Sequence, residues 1–339
     1  MASGILAGML PSRRDLGRHS GVLIAIGVFA LIVVTLDLIT PGPLSYFEFS
    51  YLSSGGTTLA LLAMGQTLVI LTRGFDLSCA ATLSLVNALL ATQMGDSVES
   101  QILWSLIGLA VGVGIGTING LLVTFLRLQP VVVTLAMMFI VQGFAILLLP
   151  KPGGRIGQEL SAFLTYDAIP GVLPAPVVVI GVALLIWALV KRSRLGTGIY
   201  AVGSDIEAAR ANGIPVRRTL LLSYMLAGLF FGAAGVFVGA TTGSGDALVG
   251  RPMLMQTFAA VVLGGTVLGG GRGGLLGTVF GAFTLMIVVN ILLVLNFSAY
   301  YATVVEAVII ILAVIGASLG RGAGPSGAAP RAGAGPTLR

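Results

Sequence analysis

The side chains that usually carry covalent or metal chemistry are nearly missing from this chain. Its 339 residues hold one histidine, His19, and one cysteine, Cys79. A His-based acid–base pair, a Cys/His metal cluster and an intrachain disulfide are thereby excluded. The Gly-rich run 264–274 lacks the GK[ST] ending of a phosphate-binding loop, and no such pattern occurs elsewhere, so the chain is expected not to hydrolyse ATP itself. What remains is neutral polarity inside apolar runs: Gln66, Asn87, Asn119, Gln142, Gln256 and Asn290. Such amides either bond helix to helix or line a wet path. As a set they suit passage of a hydroxylated, uncharged solute. The reading is of a chain with no catalytic residue, no metal and no cofactor of its own.

The elements that place these amides must lie in lipid. Hydrophobic residues make up 56% of the sequence and charged residues 9%, with a mean hydropathy of +1.05. Soluble domains carry about 25% charged residues, so too little polar side chain exists here to cover a water-facing surface. A span needs roughly 20 apolar residues. Candidates fall near 21–39, 50–72, 77–95, 102–126, 130–149, 174–190, 219–242, 253–270, 274–295 and 300–319. The fold class expected is an all-α membrane protein of about ten transmembrane helices, with a cytoplasmic tail over 1–20, a transmembrane domain over 21–319, and a disordered cytoplasmic tail over 320–339. Ser12-Arg13-Arg14 resembles a twin-arginine export signal, but no small-residue cleavage site follows, and a first membrane helix is the better account.

Charge supports this topology. With both termini cytoplasmic, the inner segments hold 15 of the 18 Lys and Arg residues and the outer segments 3, the bias of the positive-inside rule. The net charge of +6 is thus topological rather than a nucleic-acid footprint. Acidic residues at positions 48, 96, 99, 159, 167 and 246 fall in outer loops, and only Asp37 and Glu306 lie within spans. Pro and Gly in the longest outer loop, 150–173, leave room for a short structured segment.

Gly108, Gly112, Gly116 and Gly120 recur at four-residue spacing in the fourth span, as do Gly273, Gly277 and Gly281 in the ninth. That spacing puts glycine on one helix face, where another helix can approach closely. Gly116-Thr117 to Gly120 and Gly277-Thr278 to Gly281 share a G-T-x-x-G frame five spans apart, as an inverted repeat would produce.

The inner loop 191–218 contains a short helix with signals at both ends. Ser204 is expected as N-cap, with Glu207 reaching back from N3. Asp205 and Glu207 suit the positive end of the helix dipole, Ala208, Ala209 and Arg210 favour helix, Gly213 suits a left-handed C′ position, and Pro215 blocks continuation. About eight residues result, too few to be stable alone in water, so the helix must rest on a partner or on its own bundle.

In these blocks the chain resembles the permease subunit of ribose/xylose-type ATP-binding-cassette (ABC) importers, a family with galactofuranose, inositol and autoinducer-2 systems and, more distantly, branched-chain amino acid permeases. The resemblance runs from about Leu59 to Leu319. It includes Gly74-Phe75-Asp76-Leu77-Ser78 (similar to the family's GIDLS), Ile118-Asn119-Gly120, Pro130 to Leu135, Leu195 to Ile214 with Gly203, and Leu263 to Gly273. It implies a second permease subunit, identical or related, two cytoplasmic ABC ATPase subunits carrying ATP and magnesium, a periplasmic sugar-binding protein, and a place in the bacterial inner membrane. The segment matching 204–213 would be the coupling helix that sits in a groove of the ATPase. Arg73, Cys79-Ala80-Ala81 and Glu306 depart from the family pattern. An ion-coupled secondary transporter or channel for a small polar solute is the alternative, weakened by the shortage of buried acids.

Overall fold

A computed structural model describes residues 13–40, 42, 45–297, 301, 304, 305, 307, 308 and 311. Its centre is a helix that is apolar on every side. Helix α2 (Tyr46–Leu71), which follows α1 (Arg13–Ile39), is buried at every residue from Leu59 to Leu71. A helix hydrophobic all round belongs inside a bundle, and α2 is wrapped by the others. Its start is fixed by a capping box: Ser45 N–H donates to Glu48 (2.6 Å) and Glu48 N–H donates to Ser45 Oγ (3.3 Å). Glu48, expected in an outer loop, therefore lies in the first turn of α2, where a carboxylate suits the dipole.

The chain continues through α3 (Cys79–Gln93), α4 (Val98–Thr124) and α5 (Pro130–Leu148). Next come α6 (Gln158–Thr165) and a small antiparallel hairpin, β1 (Asp167–Ile169) with β2 (Leu173–Pro174). This is the short structured segment that the long outer loop left room for. The remaining elements are α7 (Ala175–Arg192), α8 (Arg194–Ser204), α9 (Ile206–Ala211), α10 (Val216–Thr242), α11 (Met253–Leu263) and α12 (Leu275–Val294).

Among the described residues, seven helices are long and apolar enough to cross a membrane: Gly21–Ile39 within α1, then α2, α4, α5, α7, α10 and α12. The spans expected at 77–95 and 253–270 are shorter apolar helices, Cys79–Gln93 and Met253–Leu263. Helix α3 starts only after a tight turn at Asp76–Ser78, and α11 stops at Gly264–Gly265, where Gly265 takes a positive φ of 79°. The span expected at 300–319 and the 320–339 tail lie outside the described residues, apart from isolated positions. The helix of α1 begins at Arg13, inside the segment expected as a tail. Lipid would meet α1 and α5, whose Leu31 and Phe139 are about two-thirds exposed (65% and 66%).

Packing between spans relies on glycine where backbones meet. A Cβ on Gly112 would lie 2.3 Å from the Gly228 carbonyl oxygen, and one on Gly116 2.3 Å from that of Tyr224, so α4 and α10 touch main chain to main chain. In α12, a Cβ on Gly281 would lie 2.3 Å from the Ala260 oxygen of α11. Buried hydroxyls mostly turn back on their own helix, as Thr57 does to Ser53 and Thr82 to Ser78. Thr67 and Thr278, besides turning back on Ala63 and Gly274, bond to each other at 2.8 Å, joining α2 to α12.

The connections sort to two ends of the bundle. At one end Tyr46 OH donates to Asp167 (2.6 Å), Arg155 pairs with Asp96, and Gly153 and Gly245 exchange hydrogen bonds of 2.9 and 2.8 Å. At the other, Leu71, Arg73, Gly203, Ser204 and Gly271 meet.

Candidate functional site

Two non-helical connections are pinned by the amides singled out in the sequence. In the first, residues 72–78 join α2 to α3. Ser78 donates to Asp76 Oδ1 through its N–H (2.9 Å) and its hydroxyl (2.6 Å), closing an Asx turn. Asn119 of α4 donates to Asp76 Oδ2 (3.3 Å) and to Ser78 Oγ (2.9 Å). Gln66 of α2, with its amide oriented by its surroundings, donates to the Asp76 carbonyl (2.9 Å) and accepts from the Asp76 N–H (3.2 Å). Thr134 of α5 and Tyr224 of α10 reach the Phe75 carbonyl at 3.2 and 3.5 Å. Four helices thus satisfy one irregular stretch of backbone, as low-dielectric surroundings require. Asp76, Ser78, Asn119 and Gln66 are all fully buried, and Asn119 Oδ1 has no hydrogen-bond partner.

The second connection, 243–252, joins α10 to α11 at the opposite end. Asn87 of α3 donates to the Ser244 carbonyl (3.2 Å) and accepts from Asp246 N–H (2.7 Å). Gln142 of α5 donates to the Ala247 carbonyl (2.6 Å), and Ser84 accepts from Gly250 N–H (3.0 Å). Asp246 Oδ1 accepts from Leu248 N–H two residues on (2.8 Å), the same turn that Asp76 makes.

The six amides therefore do not converge on one place. Gln66 and Asn119 share the first connection, Asn87 and Gln142 the second. Asn290 folds back on Met286 of its own helix (2.9 Å), and Gln256 is half-buried on α11. Asp76 is a buried acid that the sequence had placed only in a motif. The Asp-x-Ser spacing of an Asx turn was the available signal. Glu306 falls outside the described residues. Among those described, no group of three or more His, Cys, Asp or Glu side chains could hold a metal ion. On the β1–β2 hairpin, the Tyr46 hydroxyl and the Gly171 N–H hold the Asp167 carboxyl below its ordinary range.

The inner loop departs from its expected caps. Ser204 ends α8, and Asp205, extended at φ −160°, is the N-cap of α9, accepting from Ala208 N–H at 2.9 Å. An aspartate caps as well as a serine, and α8 runs to Ser204 without a break, which displaces the cap by one residue. Glu207 does not reach back; both its oxygens lie 2.8 Å from Arg210 Nη1. The helix has six residues instead of about eight. Its end matches expectation: Gly213 takes φ 76°, its N–H bonds to Arg210 and that of Ile214 to Ala209, each at 3.0 Å. Of the eight residues singled out from 203 to 213, Gly203 and Ala209 are buried, while Ser204, Asp205, Glu207, Ala208, Arg210 and Gly213 are exposed.

A family described as the permease component of branched-chain amino acid transport systems matches residues 49–314. The chain belongs to this permease family. It is similar to the ribose import permease protein RbsC of Escherichia coli K12, 36% identical over 261 residues, covering 76% of this chain and 81% of that one. The D-allose transport system permease protein AlsC of the same organism is 30% identical over 292 residues, covering 85% and 88%. The RbsC protein of Bacillus subtilis is 32% identical over 295 residues, covering 86% and 90%. No solved structure matches. As a permease component, the chain is a membrane-embedded transport subunit and not an enzyme.

Proposed function

We propose that the chain passes a monosaccharide or related polyol across the bacterial inner membrane, receiving it from a periplasmic binding protein, and that separate cytoplasmic ATPase subunits dock on α9. The relatives named for ribose and allose support the solute class. The observation that carries the coupling role is the geometry of α9. This short helix is capped at both ends, buries Ala209 and half-buries Ile206, and leaves Glu207, Ala208 and Arg210 facing solvent. The Glu207–Arg210 pair is itself exposed, and such a pair contributes only about 0.3–0.5 kcal/mol to a helix. Removing it therefore leaves α9 folded. Replacing Glu207 and Arg210 with alanine in the complete importer should leave insertion intact while ATP hydrolysis no longer drives uptake. Wild-type uptake by that variant would refute the docking role.

An inverted repeat accounts for the paired connections. The 72–78 and 243–252 segments lie at opposite ends, each turns on an aspartate that accepts from the N–H two residues on, and each is held by amides from neighbouring helices. The two G-T-x-x-G helices each press their motif glycines against a neighbour's main chain, Gly112 and Gly116 of α4 against α10 and Gly281 of α12 against α11. On this reading both termini are cytoplasmic, α3 and α11 are the third and eighth of about ten spans, and a second permease subunit completes the channel.

Among the described residues, the buried Asp76 is the feature that favours an ion-coupled carrier. Its oxygens are already engaged by Ser78 and Asn119, which suits a structural turn better than a proton relay.

A further inference from the structure

Arg73 stands where the backbone asks for glycine. Its φ is 65°, the left-handed region that side chains avoid, and strain of this kind persists only when surrounding contacts hold it. The contacts are specific. Arg73 Nε donates to the Gly203 carbonyl at 2.7 Å, and Nη2 donates to the carbonyl of Ser204. These are the last two carbonyls of α8, acceptors that a helix end leaves open and that carry the negative end of its dipole.

A third segment closes around the same side chain. Gly271 N–H donates to the Leu71 carbonyl at 3.0 Å, and a Cβ on Gly270 would lie 2.6 Å from Arg73 Cγ. A Cβ on Gly203 would lie 1.8 Å from Leu71 O and 2.5 Å from Gly271 N. The end of α2, the end of α8 and the Gly-rich turn thus touch with no room to slide.

Arg73 also sits between two features of the candidate site. On one side α8 passes through Asp205 alone into α9. On the other, three residues along the chain, Asp76 anchors the connection held by Gln66 and Asn119.

We propose that Arg73 is a positioning residue that makes the 72–78 connection move with α9, linking the ATPase-facing helix to the buried polar cluster. The inference rests on reading α9 as the docking helix. A guanidinium suits the role because its planar fork serves two adjacent carbonyls at once, whereas a lysine ammonium is a single point.

The test uses the full importer in proteoliposomes: this chain with its ATPase subunits and binding protein, carrying Arg73→Gly or Arg73→Lys. Solute moved per ATP hydrolysed and the melting temperature are read together. Arg73→Gly removes the positive-φ strain together with the two hydrogen bonds that hold it, effects of similar size and opposite sign, so its melting temperature should stay close to that of the wild type. Its solute-to-ATP ratio should still fall by at least about tenfold, as loss of a charge-assisted hydrogen bond allows. Arg73→Lys should stay uncoupled, and millimolar methylguanidinium should partly restore Arg73→Gly, which a merely stabilising residue would not show. A wild-type ratio in Arg73→Gly would overturn the inference. Cross-linking from Ala208→Cys to the ATPase tests the docking reading separately. A normal cross-link with normal coupling in Arg73→Gly overturns the role of Arg73 alone, and no cross-link in the otherwise wild-type chain overturns both.

Discussion

Three glycines on one helix allow the α4–α10 contact to be tested with an internal control. Gly112→Ala places a methyl 2.3 Å from the Gly228 oxygen and 2.9 Å from the Gly232 backbone, whereas Gly114 has nothing within 4 Å of its Cβ position. A tolerable contact is about 3.3 Å, so α10 would have to retreat by about 1 Å at Gly112. A gap of that size forfeits up to about half the attraction of each atom pair, and on the order of 40 pairs at ~0.15 kcal/mol apiece lose about 2 kcal/mol. Alanine's helix propensity returns up to ~1 kcal/mol at either position and cancels between them. Gly112→Ala should therefore be about 2 kcal/mol less stable than Gly114→Ala, roughly 30-fold in the folding equilibrium. Gly116→Ala, 2.3 Å from the Tyr224 oxygen, should behave like Gly112→Ala. The assay is equilibrium unfolding in bicelles, followed by the fluorescence of Trp104 on α4 and Trp187 on α7. Equal stability of the 112 and 114 variants would show that the two backbones do not touch.

Other perturbations have clear directions. Asp76→Ala leaves two Ser78 donors and an Asn119 donor buried without an acceptor, each costing about 1–3 kcal/mol; little folded protein should survive solubilisation, while Asp76→Asn, which keeps one acceptor oxygen, should be recovered by size-exclusion chromatography. Asn87→Ala takes away the acceptor of Asp246 N–H and one of two donors to the Ser244 carbonyl, leaving that of Thr242, so added protease should cut within 243–252 faster than in the wild type. Gly203→Ala drives a methyl into Leu71 O and Gly271 N, and amide exchange at Gly271 should accelerate markedly by mass spectrometry, against no change for Gly181→Ala, whose Cβ position is open.

Much of the fold was legible because lipid allows few solutions. Apolar length marked out the seven long helices, and four-residue glycine spacing marked the faces where α4 meets α10 and α12 meets α11. The shorter α3 and α11 were overdrawn because apolar residues continue past both helix ends into turns, which composition cannot separate from helix. The cap of α9 moved from Ser204 to Asp205 because Ser and Asp compete on nearly equal terms and the preceding helix decides. The amides were recognised as a group, but not their division into two pairs, since that depends on which loop passes each helix. Arg73 read as atypical; its meaning needed the carbonyls of Gly203 and Ser204, 130 and 131 residues away.

What drives uptake separates an ATP-dependent permease from an ion-coupled carrier. Proteoliposomes containing this chain, its ATPase partner and its binding protein should accumulate labelled sugar when ATP is present on the ATPase side, and should continue when a protonophore collapses the proton gradient. Uptake that ignores ATP and stops with the gradient would make the chain an ion-coupled carrier and leave α9 without its assigned role.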